Sequence, residues 1–96
     1  MEEQEEKEEI VEKEEIGKVF KFFAKPCVAA ITITSGELKT GDTIQIKGET
    51  TDFTQVVESM EIDREKIESA TAGQGVGIKV KDRVRPNDKV FKLITE

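Results

Sequence analysis

Residues 70–80 read Ala70-Thr71-Ala72-Gly73-Gln74-Gly75-Val76-Gly77-Ile78-Lys79-Val80. Three glycines alternate with other residues, and a lysine comes soon after. The stretch decides between a phosphate-binding loop and a strand. A Walker A loop needs G-x-x-x-x-G-K-[ST], and Lys79 does not directly succeed a glycine here. A dinucleotide fingerprint needs G-x-G-x-x-G opening a helix, and the third glycine comes one residue early. Both motifs hold phosphate on a helix N-terminus. Beyond Gly77 the chain instead alternates Ile78 and Val80 with Lys79 and Lys81, the period of a strand. The glycines are therefore expected at a turn (Gly73-Gln74) and inside a curving strand (Gly75 and Gly77). No bound nucleotide is expected.

Outward from this stretch the chain keeps the same character. Extended segments are expected at Ile16–Lys25, Cys27–Thr34, Thr43–Lys47, Phe53–Ile62, Gly75–Lys81 and Lys89–Ile94. In the second, Cys27, Ala29, Ile31 and Ile33 share one face; in the third, Ile44 and Ile46 do. Phe20 and Phe22 are expected in the core, with Phe23 pointing the other way. One helical turn is expected over Arg64–Ala70, capped by Asp63. No helix alternates with the strands, which excludes a parallel α/β sheet. The expectation is an all-β fold: a small closed antiparallel β-barrel of about six strands, of Greek-key type.

Charge divides the chain. Residues 1–15 (MEEQEEKEEIVEKEE) hold nine Glu and two Lys, a charge of −7, against −6 for all 96 residues. The rest is close to neutral. Glu3 and Lys7, and Glu9 and Lys13, have helix-supporting spacing, but the apolar residues are too few for a face. Residues 1–15 are read as a disordered or helical acidic tail, and residues 16–96 as the barrel domain. The tail does not resemble a signal or transit peptide, and no apolar run reaches membrane-span length, so a cytoplasmic location and no membrane partner are expected. The lone Cys27 fits a reducing compartment and is read as buried and inert. High Glu and Lys content suits a thermophile's cytoplasm.

The chain has no histidine, which removes Ser-His-Asp and Cys-His catalysis and histidine-bearing zinc sites. No catalytic residue, metal or cofactor is expected. The candidate binding residues are Lys79, Lys81, Arg83 and Arg85. If the chain stays extended, the four line one face and can track the phosphates of a nucleic acid. Asp42, Asp52, Asp63 and Asp88 fall in expected turns, where their carboxylates brace the backbone.

With the glycines placed in a strand, the chain resembles the second, β-barrel domain of translational GTPases such as elongation factor Tu. Gly17-Lys18-Val19 is similar to the family's opening G-x-V strand. Gly36-Glu37-Leu38-Lys39-Thr40-Gly41-Asp42 resembles its G-x-L-K-x-G-D turn. Val57-Glu58-Ser59-Met60, with the later Ala70-Thr71-Ala72-Gly73-Gln74-Gly75-Val76-Gly77, resembles its V-x-S-M strand and A-x-A-G-x-x-V-G stretch. Arg85-Pro86-Asn87-Asp88-Lys89-Val90 is similar to R-x-G-D-x-V, with Asn87 in the Gly position, which Asn fits because it tolerates left-handed backbone. The resemblance covers Ile16 to Leu93 and implies the barrel. It does not carry GTP hydrolysis, since no P-loop is present. In the full factors this barrel meets tRNA or ribosomal RNA, so the resemblance implies a non-catalytic module docking on the ribosome, tRNA, other RNA or a protein partner. Related barrels are also accessory domains of enzymes such as collagenase-like peptidases. The alternative is therefore an accessory subunit or detached domain with no RNA contact of its own.

Overall fold

A computed structural model describes residues 10–95. The expected tail lies partly outside them, at residues 1–9. The described part of that tail is neither disordered nor helical. Strand β1 spans Ile10–Phe23 and pairs antiparallel with β10, Lys89–Thr95, from Ile10↔Thr95 to Lys18↔Lys89. The expected boundary before Ile16 thus falls inside a strand. The partner strand decides this: charged residues are poor strand formers alone, but β10 offers a complete hydrogen-bonding edge.

The remaining strands are β2 (Val28–Ile33), β3 (Glu37–Lys39), β4 (Thr43–Lys47), β5 (Asp52–Val56), β6 (Met60–Ile62), β7 (Glu65–Ile67), β8 (Ser69–Thr71) and β9 (Gly75–Lys79). The main sheet has the order β5-β4-β10-β1-β2-β9-β6-β7, and β3 pairs with β8 separately. All pairings are antiparallel. The all-β expectation holds. The closed barrel of about six strands does not: the main sheet's ladder has eight strands, ten strands form in all, and no ladder joins β5 to β7 among the described residues.

Two local features multiply the strands. The expected stretch Phe53–Ile62 breaks because Val57 leaves the ladder: its N–H donates to the Asp42 carbonyl, and its own carbonyl accepts from Gly41, both at 2.8 Å. The expected helical turn at Arg64–Ala70 is instead a hairpin leading into β8. Asp63 (φ 52°) and Arg64 (φ 69°) are both left-handed and form the two-residue loop between β6 and β7. That is the type I′ geometry, whose twist matches the flanking strands.

The core follows the parity read from the sequence. Ala29, Ile31, Ile33, Ile44, Ile46 and Ile78 are all fully buried. Cys27 is the exception: half-buried, with φ 56°, it ends a turn before β2 rather than joining its inner face. Bulges in β1 reset its parity. Glu15 faces Phe91 and Gly17 faces Val90, so Ile16 is an extra residue, and it is fully buried. A second irregularity on the β2 side falls between Val19 and Lys21. It leaves Phe20 55% exposed, against the expectation of core, while Phe22 packs on the core from a half-buried position. Phe23 is exposed, as read from the sequence.

One device recurs three times, at Lys39–Asp42, Thr71–Gln74 and Arg85–Asp88. In each, the fourth N–H donates to the first carbonyl, at 3.1, 3.2 and 3.1 Å. The third residue has positive φ: Gly41 95°, Gly73 97°, Asn87 79°. This is the type II pattern. The fourth side chain then accepts the first N–H: Asp42 Oδ2 from Lys39 at 2.8 Å, Gln74 Oε1 from Thr71 at 2.8 Å, Asp88 Oδ2 from Arg85 at 2.9 Å. Each turn also exchanges two backbone bonds with a buried residue of another segment: Val57, Ile33 and Val19 respectively. The buried residues around each turn share spacing, Leu38 and Ile44, Ala70 and Val76, Val84 and Val90. Gly73-Gln74, the start of the glycine stretch, is thus one of three equivalent corners.

Candidate functional site

The four candidate cations lie on the chain leaving β9. The strand ends at Lys79 rather than Lys81, and the backbone bends at Lys81-Asp82. Val80 and Val84 turn inward and are buried, so Lys79, Lys81, Arg83 and Arg85 remain outside and exposed. They do not form one straight row. Lys81 sits over the Phe53 ring, with Nζ 6.0 Å from its centroid. Arg83 and Arg85 line a cavity of about 280 Å³ together with Phe53, Asp52 and Asp82. The bend thus gathers Lys81, Arg83 and Arg85 around Phe53, while Lys79 closes β9.

Backbone clamps fix this rim. The Gln55 carboxamide donates to the Lys79 carbonyl and accepts the Lys81 N–H, both at 2.9 Å. Asp82 Oδ1 accepts the Arg83 N–H at 2.8 Å. Asp88, only 5% exposed, accepts the Arg85 N–H and abuts Gly48, where a Cβ would overlap its carboxylate. Of the four aspartates expected in turns, three lie there, while Asp52 instead opens β5 and pairs with Lys47 of β4. Asp42 and Asp88 brace turns. Asp63 occupies the hairpin loop, and Asp52 accepts from Gln45 Nε2 at 2.7 Å.

Arg85 also borders a cleft of about 740 Å³ between the β4–β5 turn and the Arg85–Asp88 turn. Lys47, Glu49, Lys89 and Phe91 line it as well. A third concavity, about 460 Å³, lies on the outside of β1, β2, β9 and β6. Ala30, Gly75 and Gly77 line it together with Phe20, Phe23 and Arg64. A Cβ on Gly75 would sit 3.8 Å from Phe20, and one on Gly77 3.4 Å from Val28. Both are ordinary contacts, so neither glycine is required for a close approach or by a positive φ. The two glycines leave the outer face of β9 bare. This trough has no signature in the sequence because it depends on the Phe20 bulge, which no local pattern marks.

Among the described residues no group of three or more His, Cys, Asp or Glu could hold a metal ion. Among them, too, no helix is long and apolar enough to cross a membrane.

The same span of chain is shared with known proteins. It is 43% identical over 79 residues to a collagenase of Porphyromonas gingivalis, covering 81% of this chain and 22% of the relative. It is 44% identical over 80 residues to an uncharacterized protease of Methanocaldococcus jannaschii, covering 82% of this chain and 19% of the relative. The chain therefore spans about a fifth of the length of these relatives. Among solved structures, it superposes with a TM-score of 0.76 and 26% identity on the C-terminal domain of a Geobacillus thermoleovorans protein assigned to the U32 peptidases. That match covers 82% of this chain and 91% of the solved domain. The family model for elongation factor G domain 2 matches residues 16–92, a span that holds the three corner turns. The chain belongs to the elongation factor G domain 2 family.

Proposed function

We propose that this module is a non-catalytic accessory domain that serves a peptidase-type enzyme, as part of the same polypeptide or as a separate subunit. The observation that carries this reading is the near-complete match to a C-terminal domain of a U32 peptidase, 91% of which is covered. The named collagenase and protease share only this segment with the chain, so the bulk of each lies elsewhere. The chemistry agrees. The chain has no histidine, its single thiol sits half-buried in a turn, and the carboxylates of Asp42, Asp52 and Asp88 are engaged with backbone or Gln45. A nucleophile needs an activating base within hydrogen-bond reach.

The test is to assay the purified chain on gelatin and peptide substrates, alone and with a U32-type protein of the same cell. No cleavage alone, together with co-purification or altered turnover with the partner, is expected. Cleavage by the chain alone overturns the reading.

A second reading is docking on RNA or the ribosome through Lys79, Lys81, Arg83 and Arg85. Its support is that all four are exposed and three of them gather at one rim. Ribosome co-sedimentation across a salt series tests it. Comigration that weakens steeply with salt is the signature of phosphate contacts.

A further inference from the structure

Strand β1 runs past the strand that flanks it. Its ladder with β2 starts at Gly17↔Ile33, whereas its ladder with β10 continues out to Ile10↔Thr95. Just beyond β2, the Thr34 and Ser35 N–H groups donate to the Ile16 carbonyl, at 2.7 and 3.3 Å, and Gly36 (φ 72°) turns the chain away. Ile10–Glu15 is therefore paired on its β10 side, and among the described residues no strand lies along its other side. Alternate residues of a strand point their N–H and C=O groups to the same side, so this overhang presents a row of unpaired backbone donors and acceptors. It is about as long as an ordinary strand. The edges at the two ends of the main sheet offer less. Strand β7 has only three residues, and β5 is braced to Lys79 and Lys81 by the Gln55 carboxamide.

The open edge is acidic. Glu12, Glu14 and Glu15 are all exposed. Glu12 and Glu14 share one face, and Glu15 stands on the other. The cation of this segment, Lys13, reaches across the sheet instead. Its Nζ lies 5.0 Å from the Phe91 ring centroid on β10 and donates to Gln45 Oε1 of β4 at 3.1 Å. Lys13 is thus drawn away from the open side, and a strand arriving there meets negative charge. The head of the edge is bare backbone: a Cβ on Gly36 would lie 3.9 Å from Glu14 Oε1.

We propose that the open edge of Ile10–Glu15 is a docking site for an extended, basic polypeptide segment, which adds as a strand beside β1 in line with β2. Backbone hydrogen bonds supply the pairing. Lysine or arginine side chains set beside Glu12, Glu14 and Glu15 supply the selection. Charge decides the occupant. A second copy would bring the same carboxylates face to face, and like charges opposite in a sheet destabilise it. The chain's own residues 1–9 hold six Glu and one Lys, so they meet the same repulsion. An edge of this kind rejects copies of itself and admits a strand of opposite charge, which joins protection from aggregation to specificity. The inference goes beyond the accessory role proposed above and holds whichever protein carries the basic segment.

The test is fluorescence anisotropy of the full chain with a short labelled peptide of alternating lysine and valine. Two further peptides are compared with it: a glutamate–valine peptide, and the lysine–valine peptide N-methylated throughout, which keeps the charge and removes every backbone donor. The lysine peptide should bind at low salt and the glutamate peptide should not. N-methylation should weaken binding by about tenfold or more. Glu12→Gln, Glu14→Gln and Glu15→Gln combined should also weaken it, by about tenfold, and their exposure leaves the fold intact. Amide hydrogen exchange locates the contact. The N–H groups of Ile10–Glu15 that point away from β10 should exchange quickly in the free chain and become protected when the peptide binds. No binding at low salt, equal binding of the N-methylated or the glutamate peptide, unchanged binding by the triple variant, or protection at β5 or β7 instead overturns the proposal. Protection of these amides in the free chain overturns it too: in a dimer the occupant is then a second copy, and in a monomer it is residues 1–9.

Discussion

Gln55 holds the backbone of Lys81 as a strand neighbour would: its Oε1 accepts the Lys81 N–H at 2.9 Å while its Nε2 reaches the Lys79 carbonyl at 2.9 Å. Gln55 lies on β5, at one end of the main sheet's ladder, and Lys79 ends β9, near the other. One carboxamide thus spans a seam that no ladder closes. Removing it should loosen the sheet where the basic rim begins. Gln55→Ala loses two hydrogen bonds worth about 1 kcal/mol each, a fall in midpoint of roughly 8–16 °C. Gln55→Glu keeps the acceptor but sets a carboxylate against the Lys79 carbonyl, so it should be no better. Thermal melts followed by circular dichroism check both, and a Gln55→Ala midpoint within about a degree of the parent would show that the seam carries no stability.

The glycines separate into two kinds. A Cβ on Gly17 would collide with the Thr32 carbonyl, a backbone atom across the β1–β2 ladder that cannot swing away. Gly17→Ala should cost on the order of 1–3 kcal/mol through strand displacement. Gly75→Ala and Gly77→Ala meet only ordinary contacts and should change stability by less than about 1 kcal/mol, while filling the trough beside Phe20. Urea unfolding of the three variants checks the order. Equal costs for Gly17 and Gly75 would contradict it.

Arg64 holds a left-handed backbone (φ 69°) without glycine's freedom. The second loop position of a type I′ hairpin favours Gly. Arg64→Gly should therefore stabilise the chain by about 1 kcal/mol, and Arg64→Val should destabilise it by more. Opposite shifts in the denaturation midpoint are the expected readout.

Asp88 is braced between Arg85 and Gly48 and is nearly buried. Asp88→Ala leaves the Arg85 N–H without its acceptor and should cost about 1–3 kcal/mol. Asp42→Ala removes the equivalent bond at a more exposed turn and also the Lys92 ion pair at 3.4 Å. It should cost less, because water replaces the lost acceptor. Guanidinium unfolding of both variants measures the difference, and a larger loss at Asp42 would reverse this ranking.

Much of the fold was legible because it is written in local chemistry. Alternation placed Ile31, Ile33, Ile44 and Ile46 in the core, since side chains on a strand have a strict period of two. Turn chemistry placed Gly41, Gly73 and Asn87 at left-handed positions, because few residues tolerate them. The candidate cations were legible as exposed residues, since the buried Val80 and Val84 set the parity around them.

The sequence by itself determined most of the strands, the parity of their core faces and the three corner turns, all properties of a few neighbouring residues. Only the tertiary structure decided the rest. It drew Ile10–Glu15 into a strand by offering β10 as a partner. It put Phe20 outside through a bulge set by the β2 register. It took Val57 from its strand to bridge a distant turn. It aligned Lys18, Lys89 and Lys47, residues far apart in the chain, into one row. Each of these depends on register between strands. Register is a relation between distant segments, and no local pattern encodes it completely.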